Sequence, residues 1–439
     1  MKFFKQISWQ LWVFVCFSIL TYSWLAYFLE RSQFVNLLIC FALAFGGYLY
    51  VLVNKKNEEQ FHFFLFVGIF FRFLFIFSTP QLSDDYFRFL WDGHLLNLGI
   101  KPFDFKPSEV QVAFPNKEVL LAGMNSQAYY SIYPPIAQYV YAFATALSPN
   151  SILGSIVLLR LPIFFAEIGT ILLLPKLLKQ LKMPVKRSLI YVLNPLVIVE
   201  LSGNLHFEGI LIFFLLLGIY LMVLNKVKLA ALPWSLAVAT KLIPLIFLPV
   251  FIRKYSYKKA LIFYLLIGIL FLFWWFPFVN ANFIANFFTS FQLYFSTFEF
   301  NAGVYYVIRE LGWYFLGYNP IQSLGPWMSR ITLLAILTVL LYQKEPTWKI
   351  VFNQLLFALT IYYVFALIIH PWYITTLVFL AVFSRFTFPI LWSALIVLSY
   401  AAYQTEAYRE NYYLIAIEYV VLFACMVVEL LKIEKKNKL

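Results

Sequence analysis

The sequence predicts an all-α polytopic membrane protein, and three observations carry that prediction. Hydrophobic residues make up 63% of the 439 and charged residues only 12%, against roughly 45–50% and 25% in soluble domains. So few charges cannot coat a water-exposed surface. Apolar runs of bilayer-spanning length, ~17–25 residues, recur from one end of the chain to the other. Lys and Arg cluster between those runs, as they do at cytoplasmic span ends. This composition excludes disulfide-stapled secreted scaffolds, disordered regulators and nucleic-acid binders. The net charge of +13 therefore reports membrane sidedness, and no nucleic-acid partner is expected.

Candidate spans fall at 10–29, 34–53, 61–79, 152–174, 188–204, 207–225, 260–279, 327–342, 350–369, 372–384, 387–403 and 412–431, about twelve helices within a range of 10–13. Lys2 and Lys5 precede the first run and no small-residue cleavage site follows it, so it reads as a span. The basic groups are Lys2/Lys5, Lys55/Lys56, Lys176 to Arg187, Lys226/Lys228, Arg253 to Lys259, Lys344/Lys349, Arg385, and the tail Lys432, Lys435, Lys436, Lys438. Together they hold 22 of the 33 basic residues. Placing all of them inside requires twelve crossings, with both termini in the cytoplasm.

Two apolar stretches then do not cross. Segment 132–150 is short and has prolines near both ends, which suits an interfacial or re-entrant helix. Segment 229–252 carries Lys241 at its middle with Pro233 and Pro244 around it, which predicts a broken re-entrant hairpin. Segments 80–131 and 280–326 become two large outer loops of one membrane domain, 1–439. The first holds six acids against four bases, fitting the outer side of a basic chain. Cys16, Cys40 and Cys425 sit singly in apolar runs and read as packing residues.

The densest polar cluster is Ser83-Asp84-Asp85-Tyr86-Phe87-Arg88, continued by Trp91-Asp92-Gly93-His94, directly after the third span. Adjacent carboxylates repel and partial burial raises one pKa, which suits a base. The same residues also read as a helix-capping acid followed by a salt-bridge ladder, since Asp85, Arg88 and Asp92 fall a turn apart. Tyr133-Pro134-Pro135 closes the loop, with Gln138 a turn later. Ser202-Gly203-Asn204-Leu205-His206-Phe207-Glu208-Gly209 joins two spans through a tight outer turn. Turn geometry asks for the glycines; it does not ask for His206 or Glu208.

Ionisable residues inside apolar runs are costly. Arg72, Arg160, Glu167, Glu200 and Lys241 are of this kind. Arg160 and Glu167, seven apart, share a helix face and are expected to form an internal ion pair. Lys241, at the hairpin apex, either snorkels to the interface or meets an anionic lipid headgroup. His370-Pro371-Trp372-Tyr373 makes another outer turn. These patches and Asn301 all fall on the outer side of a topology built from Lys and Arg alone, which predicts one site at the outer leaflet.

Those residues resemble the GT-C superfamily of polyprenyl-phosphate-sugar-dependent glycosyltransferases. Within it the sequence is most similar to mannosyltransferases related to the first glycosylphosphatidylinositol mannosyltransferase and to their bacterial relatives. The likeness runs in chain order through the acidic motif, Gly99-Ile100-Lys101-Pro102-Phe103, Tyr133-Pro134-Pro135, Asn194-Pro195, Gly203-Asn204, Ala239-Thr240-Lys241 with Pro244, Phe300-Asn301 and Trp372-Tyr373. It implies a GT-C-like bundle and transfer, with inversion, of a sugar, mannose by preference, from a polyprenyl-phosphate donor to a lipid or glycan acceptor. An acid of the first outer loop would be the base: Asp85, which directly precedes Tyr86, with Asp84 as alternative or support. Lys241 would hold the donor phosphate, assisted by His206 or Arg88. Tyr133, Gln138, Asn204, Glu208, Asn301, His370 and Tyr373 would line the pocket. Ser83 stands where relatives of the lipid-anchor enzyme carry the first acid of Asp-X-Asp, so no metal and no other cofactor is expected. Membrane lipids are the surrounding partner, and the absence of any Asn-X-Ser/Thr sequon favours a bacterial cytoplasmic (inner) membrane. The rival readings are a lipid-linked glycan polymerase or ligase and a polytopic transporter. The first would need arginines in the second outer loop, where only Arg309 stands; the second would show internal repeats, and none is visible.

Overall fold

The computed structural model describes residues 9–53, 60–405 and 407–438. Lys2, Lys5, Lys55 and Lys56, and the side chains of Lys435, Lys436 and Lys438, lie outside what is described. The architecture is all-helical and polytopic, as the composition requires. No strand occurs among the described residues, only an isolated parallel bridge between Phe300 and Ile368.

In chain order the principal helices are α1 (Trp9–Tyr27), α2 (Phe34–Val53), α3 (Phe61–Phe73), α4 (Asp85–Asn97), α5 (Lys117–Gly123), α6 (Pro135–Leu147), α7 (Ile152–Gln180), α8 (Glu208–Val223), α9 (Val227–Thr240), α10 (Tyr257–Trp275), α11 (Phe283–Phe291), α12 (Gly303–Leu316), α13 (Ile321–Leu341), α14 (Trp348–Val364), α15 (Ile374–Ala381), α16 (Phe388–Leu395) and α17 (Tyr412–Lys438). Among the described residues, six are long and apolar enough for a full crossing: α1, α2, α7, α10, α13 and the Tyr412–Lys432 part of α17. The other predicted spans differ from the sequence expectation in length. Pro195–Gly203 and Glu208–Val223 form one pair bent by 113°, and Phe61–Phe73, Trp348–Val364, Pro371–Ala381 and Phe388–Gln404 are shorter apolar helices, as is Val227–Thr240, which enters the segment not expected to cross. At ~1.5 Å per residue a helix of 11–17 residues falls short of the ~30 Å hydrocarbon layer. Such half-length helices are tolerated where their ends are buried in protein or face a cavity.

The buried charges show how the bundle is pinned. Arg72 of α3 pairs with Glu167 of α7 at 2.8 Å, both fully buried. Tyr191 donates to the other Glu167 oxygen at 2.6 Å. Arg160 does not pair with Glu167, contrary to the sequence expectation. It donates to the carbonyls of Ser202, Ile76 and Gly203 at 2.6, 2.8 and 3.0 Å. The helical period puts both residues on one face of α7, but Arg160 meets the opened backbone of the bent pair first. The Ser202 and Gly203 carbonyls lie at the bend, where Leu205 takes a left-handed φ of 61°, the Ile76 carbonyl lies just beyond α3, and the guanidinium satisfies all three.

α4 and α6 lie against each other below the first loop. Their approach depends on Gly93, where a Cβ would come within 2.4 Å of the Tyr141 carbonyl oxygen. Segment 229–252 comprises α9, an extended Lys241 (φ −153°, ψ 144°), a 3-10 turn over Ile243–Phe247 and a short helix, Val250–Lys254. Pro244 has no N–H to continue α9, and the chain leaves the helix three residues before it.

Candidate active site

A cavity of about 650 Å³ opens where the half-length helices stop, within the ~300–1,000 Å³ usual for small-molecule sites. Of the residues singled out in the sequence, Asp84, Asp85, Tyr133, Glu208, Lys241, His370 and Tyr373 line it. They come from five separate stretches of chain, and the fold brings them to one wall system.

The acidic pair sits at the start of α4. Ser83 Oγ accepts the Asp85 N–H at 3.3 Å, fixing the turn into the helix. Asp84 is not free: Arg31, from the α1–α2 turn, holds its Oδ2 at 2.5 Å. The same guanidinium donates to the Tyr408 hydroxyl at 3.0 Å and lies 5.2 and 5.6 Å from the Tyr403 and Tyr408 ring centres. Among the described residues the Asp85 carboxylate has no ion-pair or hydrogen-bond partner and faces the cavity. Burial pushes it up to about 6, opposed by Lys241 and reinforced by Asp84 and Glu208. A carboxyl poised there exchanges a proton near neutral pH.

Across the cavity Lys241 Nζ bonds Glu208 Oε1 at 2.5 Å and lies 5.8 Å from the Tyr373 ring centre. Glu208 is placed by the bend that begins α8, Lys241 by the end of α9. His370 lines the wall and is stacked on Trp372 at 4.3 Å, whose other face carries His206 at 3.7 Å. Burial and the Lys241 charge hold His370 down, to about 3. Burial, Lys241 and His370 hold His206 well below its ordinary value. Both imidazoles are neutral, so they offer hydrogen bonds but no positive charge. Tyr133 presents its ring from the far side, edge-on to Phe89 at 5.1 Å.

Five predicted residues, Arg88, Gln138, Asn204, Asn301 and His206, lie behind the walls. Arg88 donates to Asp92 Oδ1 at 2.7 Å and to the Tyr129 carbonyl at 2.9 Å. Gln138 donates to Asp92 Oδ2 at 3.0 Å, and Ser131 to the same oxygen at 2.6 Å. This buried network ties α4, the loop and α6 together, and it leaves Arg88 spent on Asp92. Asn204 accepts the Leu82 N–H at 3.1 Å and donates to Glu200 at 3.2 Å, anchoring the strand of chain that leads into Asp84. Asn301 is fully buried and donates to Glu418 of α17 at 3.2 and 3.3 Å. Its φ of 48° is a left-handed conformation that asparagine tolerates. His206 is stacked on Trp372, set back from the lining.

Sequence reasoning missed a second group of lining residues: Arg31, Glu299, Tyr403, Tyr408 and Glu410. Arg31 had one available signal, since it is a cation in a turn that the charge pattern places outside, against the positive-inside trend. Glu299 is held by Arg309 at 2.6 Å. Glu410 accepts the Asn301 N–H at 2.6 Å and the Tyr306 hydroxyl. Among the described residues no group of three metal-ligating side chains gathers.

Fold and cavity define an integral-membrane protein built around one chamber lined by carboxylates and aromatic rings. A family model, MptA_B family, alpha-(1->6)-mannopyranosyltransferase, N-terminal domain, matches residues 18–255. That is more than half of the chain, and the chain belongs to this family: it is a mannosyltransferase, and hence a glycosyltransferase rather than a transporter. The matched stretch contains Arg31, Asp84, Asp85, Tyr133, Glu208 and Lys241. No curated protein matches the chain.

Proposed function

We propose that this mannosyltransferase moves mannose from a polyprenyl-phosphate donor to a hydroxyl of a lipid or glycan acceptor, at the outer face of a bacterial cytoplasmic membrane. Asp85 is the base. The observation that carries the reading is the division of labour in the acidic pair: Arg31 neutralises Asp84, while Asp85 faces the cavity unpaired. The acceptor O–H gives its proton to Asp85 as its oxygen attacks the anomeric carbon. The bond from that carbon to the phosphate oxygen breaks on the opposite face, so configuration inverts, and polyprenyl phosphate leaves with the electron pair. Lys241 stabilises the phosphate charge. Arg88 is bound to Asp92 behind the wall and His206 is neutral and set back; Lys241 is bonded to Glu208 but lines the cavity, so it is the cation this reading uses, with Arg31 the other cation on the lining.

An apolar cavity of about 220 Å³ supports a lipid-linked donor. It lies between α13 and α14 and shares Ile246, Tyr294, Phe295, Tyr362 and Tyr373 with the polar chamber. A prenyl tail there would place its phosphate beside Tyr373 and Lys241.

The test is transfer by purified protein in lipid, with labelled polyprenyl-phosphate mannose and a crude lipid-plus-glycan acceptor extract. Asp85→Asn should lower the rate by ~100-fold or more, the usual contribution of a general base, while Asp84→Asn stays within about tenfold of wild type. Undiminished transfer by Asp85→Asn removes it as base. No transfer by wild type from any polyprenyl-phosphate sugar removes the donor class.

A further inference from the structure

Glu208 is 3% exposed, and its hydrogen bonding is half complete. Oε1 takes the Lys241 ammonium at 2.5 Å. Oε2 is sealed from solvent and has no hydrogen-bond partner among the described residues. The other fully buried acids differ. Glu167 has Arg72 on one oxygen and Tyr191 on the other. Glu200 has Tyr400 and Asn204, and Asp92 has Arg88 on one side and Ser131 with Gln138 on the other. Buried acceptors in folded proteins are satisfied almost without exception, and an orphan one costs its desolvation. The unsatisfied acid here is the one on the cavity wall, beside Lys241, His370 and Tyr373. His370 Nδ1 is buried and unpartnered as well. Two unpartnered polar positions therefore lie beside the cation.

We propose that the Glu208 carboxylate, turning so that Oε2 leaves the packed wall and meets the chamber, accepts a hydrogen bond from a hydroxyl of the mannose being transferred, so that one carboxylate both positions Lys241 and reads the sugar. The inference rests on the donor reading given above. A donor whose phosphate meets Lys241 carries its sugar ring next to the partner of that lysine. A hydroxyl is the ligand that suits the vacancy: it donates one proton, brings no charge into the buried site, and completes the carboxylate.

The experiment compares polyprenyl-phosphate mannose with its 2-, 3-, 4- and 6-deoxy analogues as donors. A site built around a substrate hydroxyl rejects the analogue that lacks it by as much as ~10⁴-fold. Wild type should lose about 100-fold or more in kcat/KM with one of the four. In Glu208→Ala that preference should shrink to within about tenfold, although both rates fall. Glu208→Gln keeps the shape and should narrow the same ratio if the alanine variant does not fold. A wild type that accepts all four analogues equally well overturns the inference without any variant, as does full discrimination retained by both variants. If wild type uses no polyprenyl-phosphate sugar at all, the donor reading falls and this inference with it.

Discussion

Asp84 and Asp85 are neighbours in sequence and opposites in circumstance. Arg31 turns one into half of an ion pair, and the other keeps a free carboxylate that burial lifts to about 6. With Asp85 as the proposed base, kcat/KM should fall as pH drops through about 6, because protonation removes the acceptor of the proton. Arg31→Gln leaves the Asp84 charge uncompensated beside Asp85, which favours the protonated form. The acid limb should therefore move to higher pH, and Arg31→Gln combined with Asp84→Asn should move it back. A pH profile of kcat/KM for wild type and the two variants checks both statements. A limb that stays in place in Arg31→Gln would show that Asp84 is not felt at Asp85. The pair was legible as a site in the sequence. Its asymmetry was not, because the deciding cation lies 53 residues away.

At the scale of elements, the walls are held by contacts that polar pattern alone does not reveal. α4 and α6 meet at Gly93, where an added methyl would sit 2.4 Å from a backbone oxygen. Gly93→Ala should cost about 1–3 kcal/mol, as overpacking of a tight contact does, and a thermal melt in detergent would register the loss. Because α4 starts at Asp85 and α6 just after Tyr133, the same variant should lower transfer more than stability alone explains. Arg72 and Glu167 are fully buried, so Arg72→Met leaves an uncompensated carboxylate at a cost of about 3–5 kcal/mol. A melting temperature unchanged from wild type would mean that Glu167 finds another partner. Periodicity placed Arg160 and Glu167 on one helix face correctly, yet Glu167 pairs across to α3. A face tells where a side chain points, and the neighbouring helix decides what it meets.

For the whole molecule, the charge pattern makes a topological prediction. In a cysteine-free background, Cys replacing Lys117 in the first loop should react with an impermeant maleimide from the outside of intact cells. Cys replacing Lys182, in the basic run after α7, should react only after permeabilisation. The reverse result would place the cavity on the inner face and exclude a donor approached from the outer leaflet. The chamber itself is an outcome of packing: the bend before α8, the end of α9 and the end of α14 bring Glu208, Lys241 and Tyr362 to one cavity wall.

Membrane class, helical content, the candidate acids and the isolated Lys241 followed from composition, run length and local spacing, quantities that each short segment carries by itself. Tertiary structure alone decided which acid is free, which arginine pairs with Glu167, and that Tyr403, Tyr408 and Glu410 share a wall with the first loop. Those outcomes depend on distances between residues tens to hundreds of positions apart. Ion pairing and hydrogen bonding act over a few ångströms of space, and no local pattern records which distant segments come that close.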